Sequence, residues 1–219
     1  QLEGGFVAWG GHHEVNDFTT AYMVHVMIEA RERGFVVPDD MLTKATHFLH
    51  QMAGGDGRNL ADDRNRAYAI YLLTRLGMVT TNYLTALQQR MEQRAPKTWK
   101  QDLAAAYMAA SYQMMKQDKL AEGIIGRLKL GQAAVEERKR LGIEYGPMWG
   151  PYYDDAVRDA QIIYLLAKHF PHWASELTPD SLSGMLYALQ KGTYHTLSSA
   201  YMLLAFDQIE KYLKSINTP

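Results

Sequence analysis

The chain of 219 residues contains no cysteine. Disulfides, thiol nucleophiles and thiolate-ligated metals are therefore excluded within it. No apolar run approaches the about 18 residues that a membrane-spanning helix needs. No excess of either charge exists: Lys+Arg 23 against Asp+Glu 24 leaves a net charge of -1. Broad electrostatic binding to nucleic acid or anionic lipid requires a clustered positive excess, so neither is expected as a partner. No basic-then-apolar leader is visible. The chain opens at Gln1 in mid-pattern, as an excised piece of a longer protein would. Period-two runs of β-branched residues are also missing, which argues against a sheet.

What is present is globular. Hydrophobic residues make up 47% and charged residues 21%, a balance that excludes disorder as the main state. A single domain of this size buries roughly 70–75% of its unfolded surface without staples.

Helical periodicity dominates. Over 17–33, Phe18, Tyr22 and Val26, with Met23, Met27 and Ala30, fall on one broad stripe. Gly34 ends that helix, and Pro38-Asp39-Asp40 opens the next, over 39–52. Further helical patterns occupy 62–77, 80–93, 98–116, 118–140, 154–169, 179–191 and 196–215. Gly54-Gly55, Pro96, Gly146-Pro147, Gly150-Pro151, Pro171 and Gly192 sit between these segments, and Gly77 at the end of one. The reading is an all-α chain of about nine helices.

A repeat runs through it. Thr20-Ala21-Tyr22, Arg66-Ala67-Tyr68, Ala105-Ala106-Tyr107, Asp159-Ala160-Gln161 and Ser199-Ala200-Tyr201 each precede an apolar stretch. Their spacing, roughly 40–50 residues, is that of stacked helical hairpins. The spacing predicts that Tyr22, Tyr68, Tyr107 and Tyr201 hold equivalent, buried positions. Segments 67–76 and 103–115 are apolar all round, whereas 80–93 and 118–140 keep a polar face. Such alternation suits inner and outer helices of a closed α/α toroid better than an open solenoid.

In a toroid, the loops entering the inner helices share one end. Those loops are 4–16, 54–61, 94–97, 142–153 and 192–195. They hold most of the glycine, with Trp9 and Trp149. This mouth is the natural place for a partner, and Trp9, Trp149, Tyr152 and Tyr153 are its candidate anchors.

The segment Glu3-Gly4-Gly5-Phe6-Val7-Ala8-Trp9, followed by Asp17-Phe18-Thr19-Thr20-Ala21-Tyr22-Met23-Val24, resembles the thioester domain of α2-macroglobulins. Gly34-Phe35-Val36-Val37-Pro38, Arg158-Asp159-Ala160 and residues 193–200 resemble further stretches of the bacterial members, in order along the whole chain. The resemblance implies an α/α toroid, related in shape to terpenoid cyclases and prenyltransferase β-subunits. One partial toroid over 1–219 is expected, incomplete at its N-terminus. It also implies a parent protein that traps proteases and acts in cell-envelope defence. The parent would be periplasmic, with an anchor at the inner membrane compatible with that placement. Partners would be β-sandwich domains of the same chain, then proteases or cell-envelope proteins. The family's reactive Cys-x-Glu-Gln lies upstream of the Gly-Gly-Phe stretch and is not in this sequence. The His of catalytic-His members has no counterpart in Gly54-Gly55-Asp56-Gly57-Arg58-Asn59-Leu60. Bacteria hold versions with and without the thioester. Tyr194-His195-Thr196-Leu197-Ser198-Ser199 leans to the version without, and whether the parent bears the motif stays open.

His12-His13-Glu14 lacks the spacing of a helical zinc site. His47 and His50, one helical turn apart, have no evident third ligand. Asp17, Asp62, Asp63, Asp154, Asp155 and Asp159 crowd the mouth. Paired carboxylates there would suit an α/α-toroid enzyme acting on a polysaccharide or isoprenoid. Helix capping is the simpler role, since three of them stand where helices should start. Neither catalytic residue, cofactor nor metal is assigned.

Overall fold

The computed structural model describes residues 4–7, 15–143 and 153–217. Among them there is no β-strand, an isolated bridge residue at Gly5 aside. The chain divides into two compact units, Gln1–Gln93 and Arg94–Pro219.

The first unit holds α1 (Asp17–Glu32), α2 (Asp39–Gly54), α3 (Leu60–Arg75) and α4 (Thr81–Arg94). Each of α1 to α3 packs against the other two. Helix α3 is the hub. Ala67, Ala69, Ile70, Tyr71, Leu72 and Leu73 are all fully enclosed, so it has no exposed face along its second half. Helices α2 and α4 bury single stripes, Leu42, Ala45, Leu49 and Met52 on one and Leu84, Leu87 and Met91 on the other. This is the expected alternation of enclosed and one-sided helices.

The second unit holds a 3-10 turn (Trp99–Gln101), α5 (Leu103–Met114), α6 (Asp118–Ile125), α7 (Gly131–Leu141), α8 (Asp155–His169), α9 (Pro171–Ser175), α10 (Ser183–Lys191) and α11 (Thr196–Asn217). Helix α8 is its hub, packing on α5, α9, α10 and α11. Helices α5 and α8 are enclosed on every side, from Leu103 to Tyr112 and from Ala156 to Ala167.

Three expectations change. The segment 118–140 is two helices, parted by the turn from Gly126 to Leu130. The second helix starts at Gly131, a position that only glycine fits, since its φ is +58° and an added Cβ would stand 1.9 Å from the Asp180 carbonyl oxygen. The segment 98–116 begins with the 3-10 turn, and Asp102 then caps α5 by accepting the Ala104 amide at 2.8 Å. On α1 the fully buried face shares only Met27 with the apolar stripe, the rest of which is half-buried or, at Val26, exposed. That face is Thr20, Ala21, Val24, His25, Met27, Ile28 and Glu29, while Val26 is 42% exposed.

Tyr68, Tyr107 and Tyr201 are buried as the repeat predicts, with Ala21, Ala67, Ala106 and Ala160 fully enclosed. Tyr22 departs from the set: it is half-buried and its ring lies nearly parallel to that of Phe18, 6.2 Å away.

Candidate functional site

Each unit has its own candidate loops: those that lead into α1 and α3 in the first, and those that lead into α5, α8 and α11 in the second.

In the first unit, Asn16 caps α1 by accepting the Thr19 amide at 2.8 Å. The Phe6 amide donates to the Thr20 hydroxyl at 2.9 Å, which ties the Gly-Gly-Phe stretch to the start of α1. Asn59 caps α3 through the Asp62 amide at 2.9 Å, and Asp62 accepts the Arg58 amide at 2.9 Å in return. The exchange differs from a capping box in that the Asp62 carboxylate takes the amide of Arg58, one residue before the cap, and not that of Asn59 itself. Asp63 is buried and lies 3.2 Å from Arg66 and 3.4 Å from Arg90. Gly57 runs so close to this cluster that a Cβ would be 2.3 Å from the Asp63 carboxylate. The carboxylates here hold a loop. Asp17 is pushed above the ordinary carboxylate range, first by desolvation and then by the charge of Asp62, against the pull of Arg66 and Arg58.

In the second unit, Arg158 is fully enclosed. Its Nε donates to the Gln101 carbonyl at 2.9 Å, its Nη2 to the Lys129 carbonyl at 2.8 Å, and its Nη1 to Asp159. Asp159 also accepts the Gly131 amide at 3.3 Å. Gln101 closes the circuit, donating from Nε2 to the Arg127 carbonyl at 2.7 Å and accepting the Lys129 amide at 3.2 Å. One guanidinium thus pins the 3-10 turn and the α6–α7 turn to α8. Burial raises Asp159, and Arg158 counters it. Asp154 caps α8 through the Val157 amide at 2.8 Å and receives His195 Nε2 at 3.0 Å. His195 in turn accepts the Ser198 amide on Nδ1 at 3.3 Å, so it caps α11. Asp155 pairs with Arg138 at 2.6 Å.

Of the candidate anchors, Tyr153 is half-buried, and its hydroxyl accepts the Leu103 amide at 3.1 Å, serving the open end of α5. Trp9, Trp149 and Tyr152 lie outside the described residues, as do His12, His13 and Glu14. His47 and His50 turn to different partners: His47 to Gln51, and His50 to Tyr83 at 3.2 Å and Met78 at 3.0 Å. Among the described residues no group of three His, Asp or Glu could hold a metal.

One buried network had no sequence signal. His25 Nδ1 lies 2.7 Å from the Tyr68 hydroxyl, and Glu29 lies 2.9 Å from Arg75. Arg33 also pairs with Glu29, and Arg75 with Glu32. The network ties α1 to α3 across a large sequence separation.

The geometry is that of a helical block whose loop carboxylates close caps and ion pairs. No protein-family profile matches the chain. It is 36% identical over 206 residues to the alpha-2-macroglobulin homolog of Yersinia pestis, and 34% identical over 216 residues to the alpha-2-macroglobulin of Pasteurella multocida. Each alignment takes in 93% of this chain but only 10% and 11% of the relative. Its fold matches native Escherichia coli alpha-2-macroglobulin at a TM-score of 0.70, with 19% identity over 95% of this chain and 13% of that one. It also matches the Escherichia coli crystal structure running from domain MG7 to the C-terminus, at a TM-score of 0.63 and 19% identity, over 94% of this chain and 32% of that one. In these relatives the matched helical region is a small part of a much longer chain. The chain belongs to the bacterial alpha-2-macroglobulin homologues, and spans about a tenth of the length of the curated relatives it matches.

Proposed function

We propose that these 219 residues are a non-catalytic helical region of a bacterial protease trap. The observation that carries the reading is 36% identity to an alpha-2-macroglobulin homolog across 93% of the chain. Structures of the Escherichia coli protein activated by trypsin and by porcine elastase share the fold. The engagement of Asp62, Asp63, Asp154, Asp155 and Asp159 in caps and ion pairs supports a structural role over an acid–base one. In this reading the two units are parts of one α/α toroid that packs against β-sandwich domains of the parent. The parent works in the periplasm, with proteases as its targets, and nucleic acid has no part in it. Any covalent attachment of a protease through a thioester would map outside this chain, which has no cysteine.

The test is to incubate the parent protein with trypsin or elastase and follow the protease by size-exclusion chromatography. Retention of the protease with the parent, with its activity on a large protein substrate suppressed, is the expected result. Digestion of the parent without retention would overturn the reading.

A further inference from the structure

The histidines of α2 have a sulfur neighbour. His50 Nε2 stands 3.0 Å from Sδ of Met78, and its Nδ1 stands 3.2 Å from the Tyr83 hydroxyl. The three side chains come from α2, from the turn between α3 and α4, and from the first turn of α4, all within the first unit. Each is half-buried, so the group is reachable from solvent without lying loose in it. His47 stands one turn earlier on α2, exposed, 3.4 Å from Gln51. Residues three apart are neighbours on a helix surface, with about 5–6 Å between their Cβ atoms.

The backbone fixes where the thioether sits. Helix α3 ends in a Schellman turn: the Gly77 amide donates to the Thr74 carbonyl at 2.9 Å and the Met78 amide to the Leu73 carbonyl at 3.1 Å, with Gly77 at φ +86°. The buried hydroxyls of Thr74 and Thr80, 2.7 Å apart, tie the two sides of the turn together. Only the unbranched side chain of Met78 is left to adjust.

The nitrogen–sulfur separation is that of an ordinary N–H···O bond, although sulfur is the larger atom and a weak acceptor. An imidazole nitrogen and a thioether facing each other at this range are a donor pair for a soft cation. Bonds of about 2.0 Å to nitrogen and about 2.3 Å to sulfur, at a tetrahedral angle, would hold the two atoms about 3.5 Å apart, an opening of about 0.5 Å. Tyr83 supplies the outer contact that a metal-bound histidine uses: Nδ1–H donates to its hydroxyl oxygen and leaves the Nε2 lone pair facing sulfur. Among the described residues no three His, Asp or Glu could hold a metal, so a hard cation finds no oxygen set here. Zinc takes thiolate, imidazole and carboxylate, whereas a thioether beside imidazole suits Cu(I). We propose that His50 Nε2 and Met78 Sδ form a binding site for Cu(I), with His47 turning in as the third ligand. The site does not depend on the parent's trapping proteases.

The test uses the full-length parent under anaerobic, reducing conditions. Cu(I) is titrated in competition with a chromogenic chelator into the parent, Met78→Leu and His50→Gln, with circular dichroism checking that each variant keeps the parent's helical content. The parent should hold one more equivalent of Cu(I) than either variant. Equal uptake by all three, or a loss in His50→Gln that Met78→Leu does not share, would overturn the proposal. A second measurement needs no substitution. Diethyl pyrocarbonate labelling of His47 and His50 in the parent, located by peptide fragmentation in the mass spectrometer, should fall several-fold with Cu(I) and not with Zn(II). Unchanged labelling of either histidine, or equal protection by Zn(II), would also overturn it.

Discussion

Arg158 Nε and the Gln101 carbonyl oxygen meet at 2.9 Å in a site with no solvent exposure of the arginine. The contact joins the middle of one helix-forming repeat to the turn that precedes another. Arg158→Met would leave its neighbour Asp159 buried without a cation, held only by the Gly131 amide. Removing one member of a buried, hydrogen-bonded pair costs about 3–5 kcal/mol. Urea melts of Arg158→Met should show a loss of that size, and a loss below about 1 kcal/mol would show that the guanidinium is dispensable.

Tyr68 and Tyr107 test the repeat. Both are 2% exposed. Truncation to Ala should cost about 3–5 kcal/mol at each. Tyr22→Ala, at a half-buried site, should cost less than half as much. Equal losses at all three positions would mean that the observed difference in burial carries no energetic weight.

Asp17 should make stability depend on pH. Its folded-state value is raised, so the folded chain holds the proton to higher pH than the unfolded chain does. The ionised carboxylate therefore opposes folding at neutral pH, and that penalty fades as pH falls through the raised value. Asp17→Asn should raise the midpoint of urea unfolding at pH 7 and leave it nearly unchanged at pH 3. A loss of stability at pH 7 would show that the charge helps the start of α1 more than desolvation hurts it.

The chain should gain no mass from methylamine. A thioester joins a cysteine sulfur to an acyl carbon, and there is no cysteine here. Intact-mass measurement after incubation and denaturation checks this, and an adduct within these residues would contradict it. The solved Salmonella alpha-2-macroglobulin reacted with methylamine provides a positive control.

The helices were legible in the sequence where apolar spacing decides them. Enclosed helices such as α5 stood out because Ala and Met fill every face. The break at Gly126–Gly131 was not legible, because the flanking residues keep a helical spacing on both sides. Gly126 and Gly131 were visible, but the positive φ of Gly131 and its closeness to the Asp180 backbone were not. Caps were misplaced by one to three residues: Asn16 and Asn59 do what Asp17 and Asp62 were expected to do. The Arg158 clamp was hidden for a different reason. Two of its acceptors are main-chain carbonyls, and every residue type offers one. The apolar stripe of α1, of which only Met27 is buried and Val26 is exposed, shows the converse limit, since periodicity marks a face without saying what covers it.

Helix α5 carries five alanines in twelve residues, and its residues from Leu103 to Tyr112 are buried. An alanine has no rotamers to lose on folding, so these positions are ordered without a side-chain entropy cost. Their amides are shielded from solvent on all sides. Deuterium should reach them only when the whole second unit opens, and their exchange rate would then report its global stability directly.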